Sequence, residues 1–388
     1  MNLLIPVKDR LKNIFLDEMM SRMVRKNLLF LLLLVTLVLQ RRAFPQKALR
    51  AKYQDWLEAD DRIHVRTWST SIELPLGEEW KGAFTAVLDS LSGATPNGSP
   101  PSTTDRDWLS HMDEERKSGT LQLSRELDDY EFTFEYSHSR EPDYISRGYT
   151  IGLSRNLAEE TLFLSAGFSF LDDRVDTSVP GGPGIGFVSK HTPEFFAGLR
   201  RVLSPTTTVA LNLVYSRPEG YLGDPYKQVP YNQVLFAGTA REITRLFLYP
   251  ENRPGERHTH VVYSEMSHYL TGLNASIEGS YRFFADDAGT LGHTMALAWF
   301  QRLNEKLILR PSIRLYRQSA SDFYHASLDG TGIVPTNLPS EASRHYSSDY
   351  RLSHLRTMDI GVRLTWLVND STNLDVAFNR YEMKGLAS

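Results

Sequence analysis

The sequence predicts an all-β protein, an antiparallel up-and-down transmembrane β-barrel, on three observations. Apolar and polar residues alternate along many short stretches, the connections between stretches alternate between tight and long, and aromatic residues gather toward stretch ends. A strand turns successive side chains to opposite faces, so such alternation marks a sheet with one apolar and one polar face. In "LNASIEGSYRFF", residues 273–284, one face reads Leu273, Ala275, Ile277, Gly279, Tyr281 and Phe283, and the other Asn274, Ser276, Glu278, Ser280 and Arg282. A soluble sandwich gives the same pattern with its apolar face inward. The connections decide between the two, because tight turns on one side and long loops on the other are the pattern of outer-membrane barrels.

Near the N-terminus, Arg22, Arg25 and Lys26 precede "LLFLLLLVTLVL", Leu28 to Leu39. A spanning helix needs about 20 apolar residues, so this run is short for an anchor and fits the h-region of a signal peptide. The cleavage signal is weak, since "QRRAFPQKA" lacks a small-x-small pair. A retained anchor is the alternative, and the residues before Met23 read as an upstream start or an extension. Residues 1–45 are thus assigned to extension plus signal, and 46–388 to the barrel.

"KALRAKYQDWLE", 47–58, is the first strand, climbing from the periplasm and closed by "ADDR"; the next begins near Arg62 and descends into "LGEE". "YEFTFEYSH" sets Tyr130, Phe132, Phe134 and Tyr136 against Glu131, Thr133 and Glu135, and "YTIGLS" sets Tyr149, Ile151 and Leu153 against Thr150, Gly152 and Ser154. Such stretches match the roughly 9 to 11 residues that a tilted strand needs to cross a membrane. Leu162 to Phe170 and Val209 to Tyr215 follow the same phase, as do Met295 to Trp299, Leu307 to Leu315, Met358 to Trp366 and Leu374 to Phe378. Tight turns are expected at "LGEE", "LDD", "NLAEE", "SPTT", "TGL", "LNE" and "VNDS". Long loops are expected at "SGATPNGSPPSTTDRDWLSHMDEERKSG" and from Arg217 to Arg257. Trp68, Trp80, Tyr130, Tyr215, Tyr281, Trp366 and Tyr381 fit interfacial girdles. The count is about fifteen strands, the last being "TNLDVAFNRYEM". Single-chain bacterial barrels use an even number, so the expectation is a sixteen-stranded parent whose final strand this sequence lacks.

The 388 residues are 41% hydrophobic and 11% aromatic, contain no cysteine and carry a formal charge of -4. No Pro/Gly linker divides them, which favours one large domain. Mixed charge without a clustered basic excess argues against nucleic-acid binding. The lack of cysteine removes disulfides and thiol chemistry, and suits passage through an oxidising periplasm.

Several blocks carry a family resemblance: "DSLSGATPNGSP" (89–100), "SRGYTIGLS" (146–154), "RVLSPTTTVALNLVYSRPEGYLGDPYK" (201–227), "YPENRPGERH" (249–258), "YRFFADDAGTLGHT" (281–294), "LILRPSIRLYRQSASDFY" (307–324) and "YSSDYRLS" (346–353). Over nearly all of residues 47–384 the chain resembles the DUF3570 family of uncharacterised bacterial outer-membrane β-barrel proteins. The resemblance implies an outer-membrane barrel in contact with lipid and brings no catalytic residues. It also implies a redox neighbourhood of thioredoxin-like and flavin-transferring periplasmic proteins, hence a periplasmic lipoprotein or redox protein as a partner. Family members continue past this point with one more strand ending in an aromatic residue, whereas this chain ends "KGLAS".

The charges expected to line the lumen are Glu131, Glu135, Glu278, Arg282, Arg310, Arg314, Asp359, Arg363 and Asp375. A lipid-facing arginine near the midplane costs about 2 to 4 kcal/mol, so these residues must point inward while Ile277, Tyr281, Leu309, Ile313, Val362 and Leu364 face lipid. A wide barrel lined this way would conduct hydrated solutes, a porin-like channel or transporter. The alternative is a non-conducting barrel that scaffolds a periplasmic or surface partner, its charges paired across strands and its loops folded inside.

Other motifs have milder readings. His258 and His260 share a face and could hold a transition metal with His293 or Asp287; rim histidines beside a watery mouth need no ligand, and no metal or other cofactor is expected. Asp172, Asp173 and Asp176 could bind calcium, but read better as a solvated acidic turn. "GGPGIG", Gly181 to Gly186, lacks the strand before and helix after that a dinucleotide fingerprint requires. His111, Asp113 and Asp322 offer rim acid/base groups with no assignable nucleophile, so the chain is not expected to be an enzyme.

Overall fold

The structure, a computed structural model, describes residues 48–57, 63–96 and 109–385. The expected signal segment, the "ADDR" turn and residues 386–388 lie outside the described residues. Within them run β1 (Ala48–Leu57), β2 (Ile63–Pro75), β3 (Trp80–Pro96), β4 (Leu109–Leu127), β5 (Tyr130–Arg140), β6 (Tyr144–Leu157), β7 (Leu162–Asp176), β8 (Phe187–Ser204) and β9 (Thr207–Ser216). The short strands β10 (Glu219–Gly220), β11 (Gln228–Leu235) and β12 (Ile243–Pro250) follow. The chain then continues through β13 (Thr259–Leu270), β14 (Ala275–Asp286), β15 (Leu291–Arg302), β16 (Leu307–Gln318), β17 (Leu355–Asn369) and β18 (Thr372–Gly385).

Sixteen strands form one antiparallel sheet, ordered β1 to β9 and then β13 to β18, with two-residue β10 paired to β8; β11 and β12 form a separate hairpin. The up-and-down path therefore holds the fifteen strands counted in the sequence. Among the described residues β1 pairs only with β2 and β18 only with β17, so the sheet is not closed there.

The tight turns fall on one side of the sheet, at 76–79, 128–129, 158–161, 205–206, 271–274, 303–306 and 370–371. Three hold non-glycine residues in the left-handed region: Asp128 (φ 50) and Asn274 (φ 48), residue types that tolerate it best, and Ala158, Glu159 and Glu160 in the 158–161 turn (φ 52, 54 and 66). The opposite side carries the long connections 217–258 and 319–354, together with two tight ones, 141–143 and 287–290.

Two expected loops contain strand. β3 runs to Pro96 and β4 starts at Leu109, so most of "SGATP" and "LSHMDEERKSG" is sheet. This stretch has no apolar alternation to read, but its polar residues pair across strands: Arg116 Nε donates to Asp89 Oδ2 at 2.8 Å. The Arg217–Arg257 connection likewise contains β11 and β12.

Burial on the sheet is inverted relative to a soluble sandwich. On β15 the apolar Met295 and Leu297 are 59% and 46% exposed, while Thr294 and Ala298 on either side of them are 9% and 6% exposed. The same alternation runs along β6, where Tyr149, Ile151 and Leu153 are exposed and Thr150, Gly152 and Ser154 are half-buried. Register partners continue it, with Phe134 opposite Ile151 and Thr133 opposite Gly152. The covered face of this sheet is its polar one.

Candidate functional site

Two features stand out, the charged polar face and a cap made by the two long connections. On the polar face, Glu131 and Glu135 lie on β5, Glu278 and Arg282 on β14, Arg310 and Arg314 on β16, Asp359 and Arg363 on β17, and Asp375 on β18. Register sets Arg314 opposite Asp359 but Arg310 opposite Arg363. Like charges in direct opposition repel. Arg310 instead lies over the Phe300 ring, 4.8 Å from its centroid, and Arg282 over Phe284 at 5.6 Å. Among the described residues none of Arg282, Arg310, Arg314 and Arg363 has a carboxylate within ion-pair distance. Asp359 accepts from Asn379 Nδ2 at 3.2 Å, and Asp375 accepts from the Thr365 hydroxyl. The result is an acidic stretch on β5 and a basic one across β14–β17, with six steps of the sheet path between β5 and β14.

The cap has a core of its own. Val229 of β11 packs with Leu328, Ile333 and Tyr346 of the 319–354 connection, all essentially buried. Asn252 and Tyr346 exchange backbone hydrogen bonds of 2.9 and 2.8 Å, and the Asn252 side chain donates to Ser340 O and Arg344 O at 3.0 and 3.1 Å. Beside this core lies a buried ion network. Arg253 sits between Glu251 Oε1 (2.7 Å) and Asp349 Oδ2 (2.9 Å), and Arg351 bridges Asp349 and Asp224, with Asp224 Oδ2 at 2.6 Å. Burial pushes the Glu251 carboxyl upward even with Arg253 beside it. Burial acts in the same direction on Asp349, but hydrogen bonds and charge from Arg351 outweigh it and hold that carboxyl below its usual value. A charge this deep is tolerated only when paired and hydrogen-bonded.

The cap meets the sheet at several points, among them Gln318 of β16, whose Nε2 donates to Arg351 O (2.8 Å) and Ser353 O (2.7 Å), and Tyr226. The Tyr226 hydroxyl lies 2.8 Å from Glu114 Oε1 on β4 and 2.7 Å from Asp143 Oδ2 in the β5–β6 turn. Glu114 shares the polar face with Arg116, partner of Asp89. A hydroxyl has one proton to donate, so Tyr226 satisfies one carboxylate at a time and accepts from the other only when that one is protonated. Burial and then the two carboxyl partners push the Tyr226 phenol far above its usual range. Glu141 completes a group of three acids with ligand atoms within 4.8 Å of one another. Burial first, and Glu114 second, raise its carboxyl above the ordinary glutamate value, while Arg116, 4.0 Å away, opposes them. Gly220 helps set the path of the connection: its φ is +101, and a Cβ there would sit 2.4 Å from Ser189 O.

The other motifs are not drawn together. Asp172 and Asp173 are consecutive on β7 and point to opposite faces, Asp172 toward Arg147 (3.6 Å) and His191 (3.3 Å) and Asp173 toward Tyr144 (2.7 Å) and Lys190 (3.5 Å). Asp176 accepts from Ser178 N, so the three make no calcium cluster. His258 has both ring nitrogens occupied, by Tyr215 (2.7 Å) and Glu256 (2.8 Å), and His293 bonds Tyr281 (2.7 Å). Among the described residues Glu114, Glu141 and Asp143 are the one group close enough to share a cation, and it includes neither histidine nor Asp287. "GGPGIG" is an ordered loop, pinned by the buried Thr177 hydroxyl donating to Gly186 O at 2.9 Å. Asp322 lies in the 319–354 connection, where a Cβ on Gly289 would meet it at 2.4 Å. Asp113 stands on β4, and His111 precedes it on the same strand. Sequence reading missed Tyr226, Glu114, Glu141, Asp143, Glu251, Arg253 and Asp349. The available signal was "QVPYNQVL" and "ITRLFLYP", two strand-like runs inside what reads as one loop.

An antiparallel up-and-down sheet that covers its polar side chains and exposes its apolar ones, with its long connections folded into a cap, defines the class of protein. The chain belongs to the DUF3570 family, described as a protein of unknown function, whose match covers residues 32–183 and 187–387. No curated protein sequence matches the chain. Among solved structures it is similar to a mutant of the ferric enterobactin receptor PfeA from Pseudomonas aeruginosa, with a TM-score of 0.47 and 10% identity over 89% of this chain and 54% of that one. The siderophore receptor PirA from Pseudomonas aeruginosa gives 0.47 and 11% over 88% and 57%. The alcaligin outer membrane receptor FauA from Bordetella pertussis gives 0.46 and 12% over 89% and 62%. The chain spans little more than half the length of these structures.

Proposed function

We propose that the chain is an outer-membrane β-barrel, exported by its N-terminal apolar segment, whose charged interior forms a porin-like passage for a small hydrophilic solute. The inverted burial of the sheet carries this reading. Exposed Met295, Leu297, Ile151 and Phe134 are stable against lipid and costly against water, while a file of arginines is tolerated only on a wetted side. On closure, the acidic stretch of β5 faces the basic stretch of β14–β17 across the lumen, a field that orders polar or zwitterionic solutes. Closure joins the free edges of β1 and β18, because unpaired backbone groups are costly in lipid. Both strands run from the turn side to the loop side, so a direct seam between them would be parallel.

The cap favours a second reading. Tyr226 ties the 217–258 connection to the polar face of β4, which suits a barrel held shut and serving as a scaffold for a periplasmic redox protein or a surface partner. Reconstitution into a planar bilayer separates the two. Stepwise conductance with a preference between cations and anions supports the passage; silence from correctly folded protein, with or without the cap contact, supports the scaffold.

A further inference from the structure

At the loop-side end of β15–β18 a row of basic residues outnumbers the acids beside it. His293, Arg317, Arg356 and Lys384 are successive register partners across the four strands. They lie on the apolar face, each two residues beyond Met295, Leu315, Met358 or Glu382. Direct opposition of like charges destabilises a sheet. Glu382 is already engaged by Lys384 at 2.5 Å, and among the described residues neither Arg317 nor Arg356 has a carboxylate within ion-pair distance. Below the row lies an open groove of about 470 Å³ whose apolar floor is Met295, Leu315 and Met358. Arg317 and Arg356, with Lys384 paired to Glu382 in the same groove, form a mainly cationic edge above a floor of Met295, Leu315 and Met358, which matches an amphiphile with an anionic head and a hydrocarbon tail.

We propose that this groove binds lipid A, its phosphates on Arg317, Arg356 and Lys384 and an acyl chain along Met295, Leu315 and Met358. The inference rests on the membrane reading above, in which the loop side meets the outer leaflet. Guanidinium forks bind phosphate through paired charge-assisted hydrogen bonds, which favours phosphate over a carboxylated or neutral head. The row from Arg317 to Lys384 covers two strand spacings, about 10 Å. A headgroup with two separated phosphates spans it, whereas a single phosphate meets only adjacent side chains.

The test uses the full chain purified in maltoside micelles and followed by native mass spectrometry and thermal shift. The probes are diphosphoryl lipid A, monophosphoryl lipid A, phosphatidylglycerol and inorganic phosphate. One diphosphoryl lipid A should be retained per chain, with monophosphoryl lipid A about tenfold weaker, and R317Q/R356Q should weaken the diphosphoryl form about a hundredfold. R201Q, on the same face at the turn end, should change nothing. Equal retention by R317Q/R356Q, equal affinity for phosphatidylglycerol, or displacement by inorganic phosphate at matched concentration would each overturn the site. Fractionation of the same cells keeps the two ideas apart. Wild-type chain in the outer membrane without lipid A selectivity sinks only this inference, and wild-type chain in the soluble fraction sinks the membrane reading and the site with it.

Discussion

The sheet and the cap solve the same burial problem with opposite signs. On β15 the large apolar residues are outermost and threonine and alanine are covered, whereas in the cap Val229, Leu328, Ile333 and Tyr346 are hidden as in any soluble core. Charges follow suit. Among the described residues the sheet leaves Arg282, Arg310, Arg314 and Arg363 without a carboxylate partner on its polar face, while the cap buries Glu251, Arg253 and Asp349 only as an ion-paired set. The difference is what the proposed surroundings require: a wall between oil and a wet interior would need no dry core of its own, and a cap bathed in water would.

The strongest way to break this comparison is to place charge on the exposed face of the wall. Phe134→Arg with Ile151→Arg, direct register partners, should abolish insertion, at about 2 to 4 kcal/mol for each arginine near the midplane. Thr133→Arg, one residue away on the covered face, should still reach the outer membrane. Fractionation with a heat-modifiability gel reads the outcome, and normal recovery of F134R/I151R would show that this face does not meet lipid.

Tyr346→Ala tests the cap as a conventional core. Losing a fully buried aromatic costs about 3 to 5 kcal/mol, enough to open a unit held by four core side chains. Trypsin should then cut within 231–257 and 319–345 while the sheet keeps its heat-modifiable mobility. Simultaneous loss of both signals would mean that cap and wall are one cooperative unit.

Tyr226→Phe sharpens the contact between the regions. It removes a hydrogen bond of about 0.5 to 1.5 kcal/mol and leaves Glu114 and Asp143 facing each other without a donor. More frequent or larger conductance steps are expected, with the cap core still resistant to trypsin. Unchanged conductance would remove Tyr226 from any gating role.

The wall was legible in the sequence because a period of two is a local signal, and the fifteen strands and tight turns at "LGEE", "NLAEE" and "VNDS" all follow from it. Where the signal is not local, reading failed. The upper part of β4, "DEERK", is held by the Arg116–Asp89 pair across to β3 and the Lys117–Glu115 pair along the strand, which no alternation announces. The cap joins Asn252 to Tyr346 and Glu251 to Ser347 over ninety residues or more. Each half of it resembles a polar loop because its partner supplies the missing burial. The aspartates of "LDDRVD" show the converse error, in which proximity in sequence suggests a cluster that the strand's own alternation separates.

The smallest expected effect is a pH dependence at the same contact. Burial and Glu114 raise the Glu141 carboxyl in the folded protein above its unfolded value. A raised acid contributes stability that is fully present below the unfolded value and is lost as pH rises through the folded one. Acidification should therefore seat the cap on the wall, since protonating Glu141 removes one of three crowded negative charges beside the Tyr226 hydroxyl. Glu141 is only half-buried and Arg116 lies within reach, so the shift should be modest. Conductance recorded with the loop-side chamber taken from about pH 8 to pH 4, across the glutamate range, should fall on acidification. In Glu141→Gln it should start lower and change less, because the amide is neutral throughout. A wild-type channel that opens on acidification, or a Glu141→Gln profile that overlays the wild type, would place the titrating group elsewhere and leave the cap contact without a pH switch.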